Sequence, residues 1–166
     1  MSYDSDRKNH ILHSIWTLWY HSSDNKEWDI NSYQKISSVD NLLDFWKLYN
    51  SLTNIHLQHG MFFLMRNDIL PMWEEDRNKD GGSWSFKIAK KETISAWVEL
   101  SVSAIGENIM LDEINTKYIN GITISPKKNF SIIKIWISDK KIDDIQYLNK
   151  QISNFNLEEA IFKPHI

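Results

Sequence analysis

The segment Ile69-Leu70-Pro71-Met72-Trp73-Glu74-Glu75-Asp76 sets an aromatic ring beside a carboxylate. Pro71, and the charged residues that run on to Gly81-Gly82, mark this stretch as a loop. An indole face can stack on a flat base. A carboxylate can accept two N–H bonds from one guanine edge, N1–H and N2–H2, both short and charge-assisted. A base methylated at N7 carries positive charge, and stacking then gains a cation–π attraction of about 0.5 kcal/mol when exposed and about 2 kcal/mol when desolvated. A second ring on the opposite face gains it again. The sequence offers one in Trp28, the lone aromatic residue of the polar run Asp24 to Asp29, where a core role is hard to fill.

Other chemistries find less support. Asp76-Arg77-Asn78-Lys79-Asp80-Gly81 resembles the opening of a calcium-binding loop, but the twelfth position, which needs a bidentate acid, is Lys87. Ser83 to Lys90 alternates like a strand where a helix is required, so the segment reads as a solvated turn. The six His are scattered, and only His56 and His59 share a helical turn, with no carboxylate motif beside them. Neither a glycine-rich phosphate loop nor a nucleophile elbow occurs. No catalytic residue, cofactor or metal site is assigned, and an enzyme is not expected. The absence of Cys removes disulfides and thiolate sites and fits a reducing compartment. No apolar run approaches the roughly 20 residues of a membrane helix, and the start, MSYDSDRKNH, is polar. A cytoplasmic location without a membrane partner is therefore expected. The net charge of -3 speaks against a long track of phosphate backbone, so any nucleic acid would be held by a small local feature.

These side chains need a frame to position them. A chain of 166 residues has the length of one domain, and residues 1–166 are read as one, with Met1 to Asn9 expected to be flexible. Ile11 to His21 reads as a strand with Trp16, Leu18 and Tyr20 on one face and Ile15, Thr17 and Trp19 on the other. Ser38 to Leu52 has helical spacing at Val39, Leu42, Leu43, Trp46 and Tyr49, with Ser37 or Ser38 as its cap. Met61 to Met65 and Ser83 to Lys90 read as strands, and Thr93 to Ile105 as a second helix with a broad apolar stripe. Tyr118 to Ser125 and Phe130 to Ile137 are strands joined by a lysine-bearing turn at Pro126 to Asn129. A third helix is predicted over Asp143 to Asn154 and a closing strand over Ala160 to His165. This order lacks a regular βα alternation and points to an α+β fold with one antiparallel sheet and helices on one face.

Taken in chain order, the motifs resemble those of the eukaryotic initiation factor 4E family. They are Trp16-x-x-Trp19, Trp28, Asp44-Phe45-Trp46-x-Leu48-Tyr49-Asn50, Pro71-Met72-Trp73-Glu74, Asn78-Lys79-x-Gly81-Gly82-x-Trp84, Trp97, Ile105-Gly106-Glu107 and Ile135-Trp136, and they take in all 8 Trp. The resemblance implies a curved antiparallel sheet with three helices on its convex face and a cap-binding site for 7-methylguanosine on the concave one. Trp28 and Trp73 would be the stacking rings, Glu74 the base-reading acid, the Trp73 backbone N–H a donor to the guanine oxygen, and Trp136 the ring against the methyl group. Trp16, Trp19, Trp84 and Trp97 would be structural. The phosphate grip departs from the family: its three basic positions are Lys127, Asn129 and Ile132 here, and its frequent arginine before Trp84 is Ser83. Lys127, Lys128 and Lys134 are the expected triphosphate ligands. Strand period puts Lys134 on the face of Trp136.

The resemblance also implies partners: capped mRNA on one side and, on the other, an amphipathic helix from a 4G-like scaffold or a 4E-binding protein. The chain would then be a monomer within a larger complex. The matching docking residues are His10, Leu12, Leu42, Trp46, Val98, Glu99, Val102 and Gly106. Leu42 and Trp46 sit one helical turn apart, as do Val98 and Val102, so each pair can share a face. Plain helix core would give the same spacing. The expected function is to bind the mRNA cap and recruit the scaffold that starts translation. The alternatives are an interaction module that keeps only the fold, or a repressor that competes for cap or scaffold. The retained Trp28, Trp73, Glu74 and Trp136 argue against the module.

Overall fold

Alternating side chains build a sheet with two working faces. In strand β1 (Ile11–Ser22), Trp16, Leu18 and Tyr20 join the main apolar core, while Trp19 packs in a second cluster on the opposite face. Strand β3 (Gly60–Arg66) divides in the same way, with Phe62 and Leu64 toward the main core and Phe63 and Met65 away from it. The computed structural model describes residues 10–152 and 156–166. The expectation for Met1 to Asn9, and the last two residues of the predicted third helix, lie outside the described residues.

The remaining strands are β2 (Gln34–Asn41), β4 (Gly82–Ala89), β5 (Ile119–Pro126), β6 (Phe130–Ile137) and β7 (Ile161–Pro164). They form one curved seven-stranded antiparallel sheet in the order β2-β1-β3-β5-β6-β4-β7. Helices α1 (Leu42–Asn50), α2 (Asn54–His59) and α4 (Thr93–Ile105) cover the main-core face. The single turn α3 (Asp76–Lys79) belongs to the loop before β4. Phe45 and Tyr49 of α1 and Trp97 and Leu100 of α4 are buried there. The Tyr49 hydroxyl donates to Ser101 Oγ at 2.8 Å, which ties α1 to α4. Each fully buried Leu or Ile of such a core contributes about 1.5–3 kcal/mol. Among the described residues, no helix is long and apolar enough to cross a membrane.

Two segments depart from the sequence expectations. The first helix starts at Leu42, because Ser38 to Asn41 complete β2, an edge strand whose mostly polar sequence hid it. Its cap is Asn41 in place of Ser37 or Ser38: Asn41 Oδ1 accepts from the Asp44 N–H at 2.9 Å. The helix predicted over Asp143 to Asn154 does not form in its described part, which holds only a 3-10 turn at Ile145–Tyr147. Asp144 and Asn149 accept from the backbone N–H groups of Gln146 and Gln151, and such local bonds compete with a helical ladder. Ile142, Leu148 and Ile152 still anchor the segment in the core. The helical layer is completed by α2, whose Leu57 is buried.

Candidate functional site

The face opposite the helices holds a cavity of about 470 Å³. Trp28, Trp73, Glu74, Lys134 and Trp136 all line it, together with Tyr33, Phe63, Ser83, Lys163 and His165. Its size falls in the range of small-ligand pockets.

Each aromatic wall has its own support. Trp28 leaves β1 by a short loop and is 52% exposed. Its ring lies flat on the buried imidazole of His21, with centroids 3.9 Å apart and planes at 1°. His21 Nε2–H donates to the Glu27 carbonyl at 2.7 Å, which fixes the ring under the loop. The Tyr33 edge meets Trp28 at 6.2 Å and Phe63 at 5.4 Å. Burial pushes the Tyr33 hydroxyl pKa up to about 12, and the charge of Glu74 adds to the shift, so the phenol stays neutral in this wall.

Trp73, 48% exposed, and Glu74 stand on the loop between β3 and α3. Asn78 holds that loop from beneath and has no solvent exposure. Its side-chain amide donates to the carbonyls of Leu70 at 3.0 Å and Met72 at 2.9 Å. Its Oδ1 accepts from Asn120 at 2.9 Å, the residue inserted where the β5–β6 pairing shifts register. Arg77 fastens the outside by donating to Asp68 at 2.6 Å and Glu75 at 2.8 Å. These bonds raise the arginine pKa and lower that of Asp68. Arg77 is thereby engaged by Glu75, and no ion pair to Glu74 occurs among the described residues.

The floor is set by period 2. On β6, Lys134 and Trp136 face the cavity while Ile133, Ile135 and Ile137 enter the main core. Burial lowers the Lys134 pKa, and the charges of Lys127 and Lys163 lower it further. His165 Nδ1–H donates to the Asn78 carbonyl at 2.7 Å, so its neutral Nε2 accepts from the Ser83 hydroxyl at 2.8 Å. The same ring stands edge-on to Trp136 at 5.2 Å. Burial lowers the His165 pKa against the effect of the Asn78 bond, and Lys134 lowers it too.

The structure thus brings five of the seven expected cap residues together. Lys127 and Lys128 lie exposed at the β5–β6 turn and do not line the cavity, although Lys127 is near enough to act on Lys134. Lys163 and His165 escape the sequence reading. The closing strand is legible there, and period 2 within it puts both on one face. His21, Tyr33 and Asn78 carry no sequence signal, because their roles depend on contacts across strands.

The expected docking residues lie on the other side. Leu42, Trp46 and Val102 are 36%, 40% and 40% exposed, while Leu12 and Val98 pack partly against the main core. Glu99 and Gly106 are exposed. His10 is exposed as well, and its carbonyl accepts from the Leu42 N–H at 3.0 Å.

Known proteins share this architecture. The chain is 30% identical to initiation factor 4E-3 of Caenorhabditis elegans over 94% of its own length and 66% of that protein's. It is 32% identical to initiation factor 4E of Dictyostelium discoideum, over 94% of this chain and 64% of the relative. It therefore spans just under two thirds of the length of these curated relatives. A solved complex of the Caenorhabditis elegans protein with the 4E-binding protein Mextli and a cap analog matches with a TM-score of 0.81 and 28% identity, covering 94% of this chain and 92% of that one. The Ascaris suum 4E-3 complex with m7G cap matches with a TM-score of 0.72 and 29% identity, over 81% and 77% of the two chains. The family model described as eukaryotic initiation factor 4E matches residues 11–165, and the chain belongs to that family of translation initiation factors.

Proposed function

We propose that this chain binds the 7-methylguanosine cap of mRNA and, through its helical face, recruits a 4G-like scaffold to start translation. The observation that carries the reading is the convergence of Trp28, Trp73, Glu74 and Trp136 on one cavity. Trp28 and Trp73 stack on the two faces of the methylated base, and its charge strengthens both contacts. Glu74, free of Arg77, accepts from N1–H and N2–H2. The Trp73 backbone N–H donates to the guanine oxygen, and Trp136 lies against the methyl group. Lys134 meets the triphosphate from the floor, with Lys127 and Lys128 at its outer end. Leu42, Trp46, Val98 and Val102 take the apolar face of a partner helix, with His10, Leu12, Glu99 and Gly106 bordering it. The partner is a 4G-like scaffold or a 4E-binding protein. Residues 1–166 act as one cap-binding domain in the cytoplasm, as a binding protein without catalysis and as a monomer within the larger complex. The test is a tryptophan-fluorescence titration with 7-methyl-GTP and with GTP. Strong quenching by the methylated ligand alone is expected; equal or absent quenching by both would overturn the reading.

A further inference from the structure

Strand β7 brings a cation to the cavity that no sequence motif announces. In the antiparallel register, Lys163 stands opposite Ser83, and Ser83 opposite Trp136. In the neighbouring row, Ser85 stands opposite Lys134. Strands lie about 4.8 Å apart and residues two apart on a strand advance about 6.8 Å, so Lys163 and Lys134 are roughly 12 Å apart at their α-carbons. Only the small hydroxyl side chains of Ser83 and Ser85 lie between them on the cavity floor, and two lysine side chains can converge over that gap.

The charges give a second, independent indication. Lys163 and Lys127 are the charged groups that act on Lys134, and no carboxylate offsets them. Neither Lys134 nor Lys163 makes an ion pair among the described residues. Glu74 is the one carboxylate among the residues that line the cavity. A buried lysine that neighbouring lysines disfavour, beside a cavity and without a counter-ion, is relieved by an anion held there.

We infer that Lys163 and Lys134 together grip the phosphate chain of the bound nucleotide, so that β7 supplies charge recognition while the Trp73 loop reads the base. The inference rests on the cap reading above. Lys163 acts on the phosphates and leaves the base contacts untouched.

The test compares the unaltered protein with Lys163→Gln and Lys163→Arg. Each is titrated with 7-methylguanosine, 7-methyl-GMP and 7-methyl-GTP at several salt concentrations. Lys163→Gln is expected to bind 7-methyl-GTP about tenfold more weakly, the loss of one charge-assisted contact. Its affinity for the nucleoside stays within about twofold. Its affinity for 7-methyl-GTP also depends less steeply on salt. Lys163→Arg keeps the triphosphate affinity, which separates lost charge from a disturbed strand. Equal losses on all three ligands, or no loss on the triphosphate, would overturn the role of Lys163 while leaving the cap reading standing. Failure of the unaltered protein to bind any methylated ligand would overturn both.

Discussion

His165 shows how one side chain joins the cavity to the loop above it. Its ring donates to Asn78 and accepts from Ser83, and only the neutral form does both. Burial disfavours the charged ring, and a proton on Nε2 would add charge beside Lys134. The native pKa is accordingly depressed below the ordinary value of 6.5. The unfolded chain then binds the proton more readily, so the stabilisation is complete above about pH 6.5 and declines as pH falls toward the native pKa. His165→Gln is expected to flatten the acid side of the stability curve. Thermal melts of both proteins between about pH 7.5 and pH 5 check this, and parallel curves would refute it. Such a role is illegible in sequence, where a His near Pro164 has no fixed partner. Trp28 and Trp73 were legible as rings set in polar loops, Glu74 by its place beside Trp73, and Trp136 through the resemblance to the family. Lys163 and His165 obey strand alternation, but nothing in the last strand's own sequence tells which face is the cavity.

The loop that carries Trp73 and Glu74 has its geometry imposed by one buried amide. Asn78 satisfies two loop carbonyls and is itself held by Asn120. Asn78→Ala leaves those groups buried and unpaired, at about 1–3 kcal/mol each before relaxation. Urea unfolding should show a loss of about 2–4 kcal/mol. Amide exchange should rise first across residues 67–75, and unchanged protection there would mean the loop is held by Arg77 instead. At this scale the sequence spoke clearly where apolar periodicity was strong, as in β1, β6 and α4. It misled where polar side chains decide. Asn41 stops β2 and starts α1, and the side chains of Asp144 and Asn149 divert the backbone bonds of a segment whose apolar spacing looks helical. Among the described residues the edge strand β2 has a strand partner on one side only, and its polar sequence is in keeping with such an edge.

The whole molecule is a sheet with different business on its two sides. The α+β class and the one-sided helical layer were legible from element order alone. The cavity as a volume was not, since it arises from curvature and from strands far apart in sequence. Because the sheet separates the helices from the cavity, the two proposed binding faces should be separable by mutation. Trp46→Ala removes a half-exposed ring on α1 and is expected to weaken a 4G-type helical peptide by more than about 2 kcal/mol, the cost of a typical aromatic anchor. The 7-methyl-GTP affinity of the same variant should change by less than about twofold. Calorimetric titrations with peptide and nucleotide decide this, and a loss on both ligands would show that the faces are coupled. The pairing of β4 with β7 also governs the order in which the molecule is completed. Ser83 and His165 are 82 positions apart, and until the last strand arrives β4 is itself the sheet edge, with unpaired backbone beside Trp84 and Phe86. Closing so long a loop is slow compared with forming local contacts. During synthesis the chain therefore passes through a stage in which the hairpin of β5 and β6 can form while the cavity lacks a wall. While β4 stays an open edge the chain is more prone to stick to other chains, and the cavity is walled only once β7 has paired.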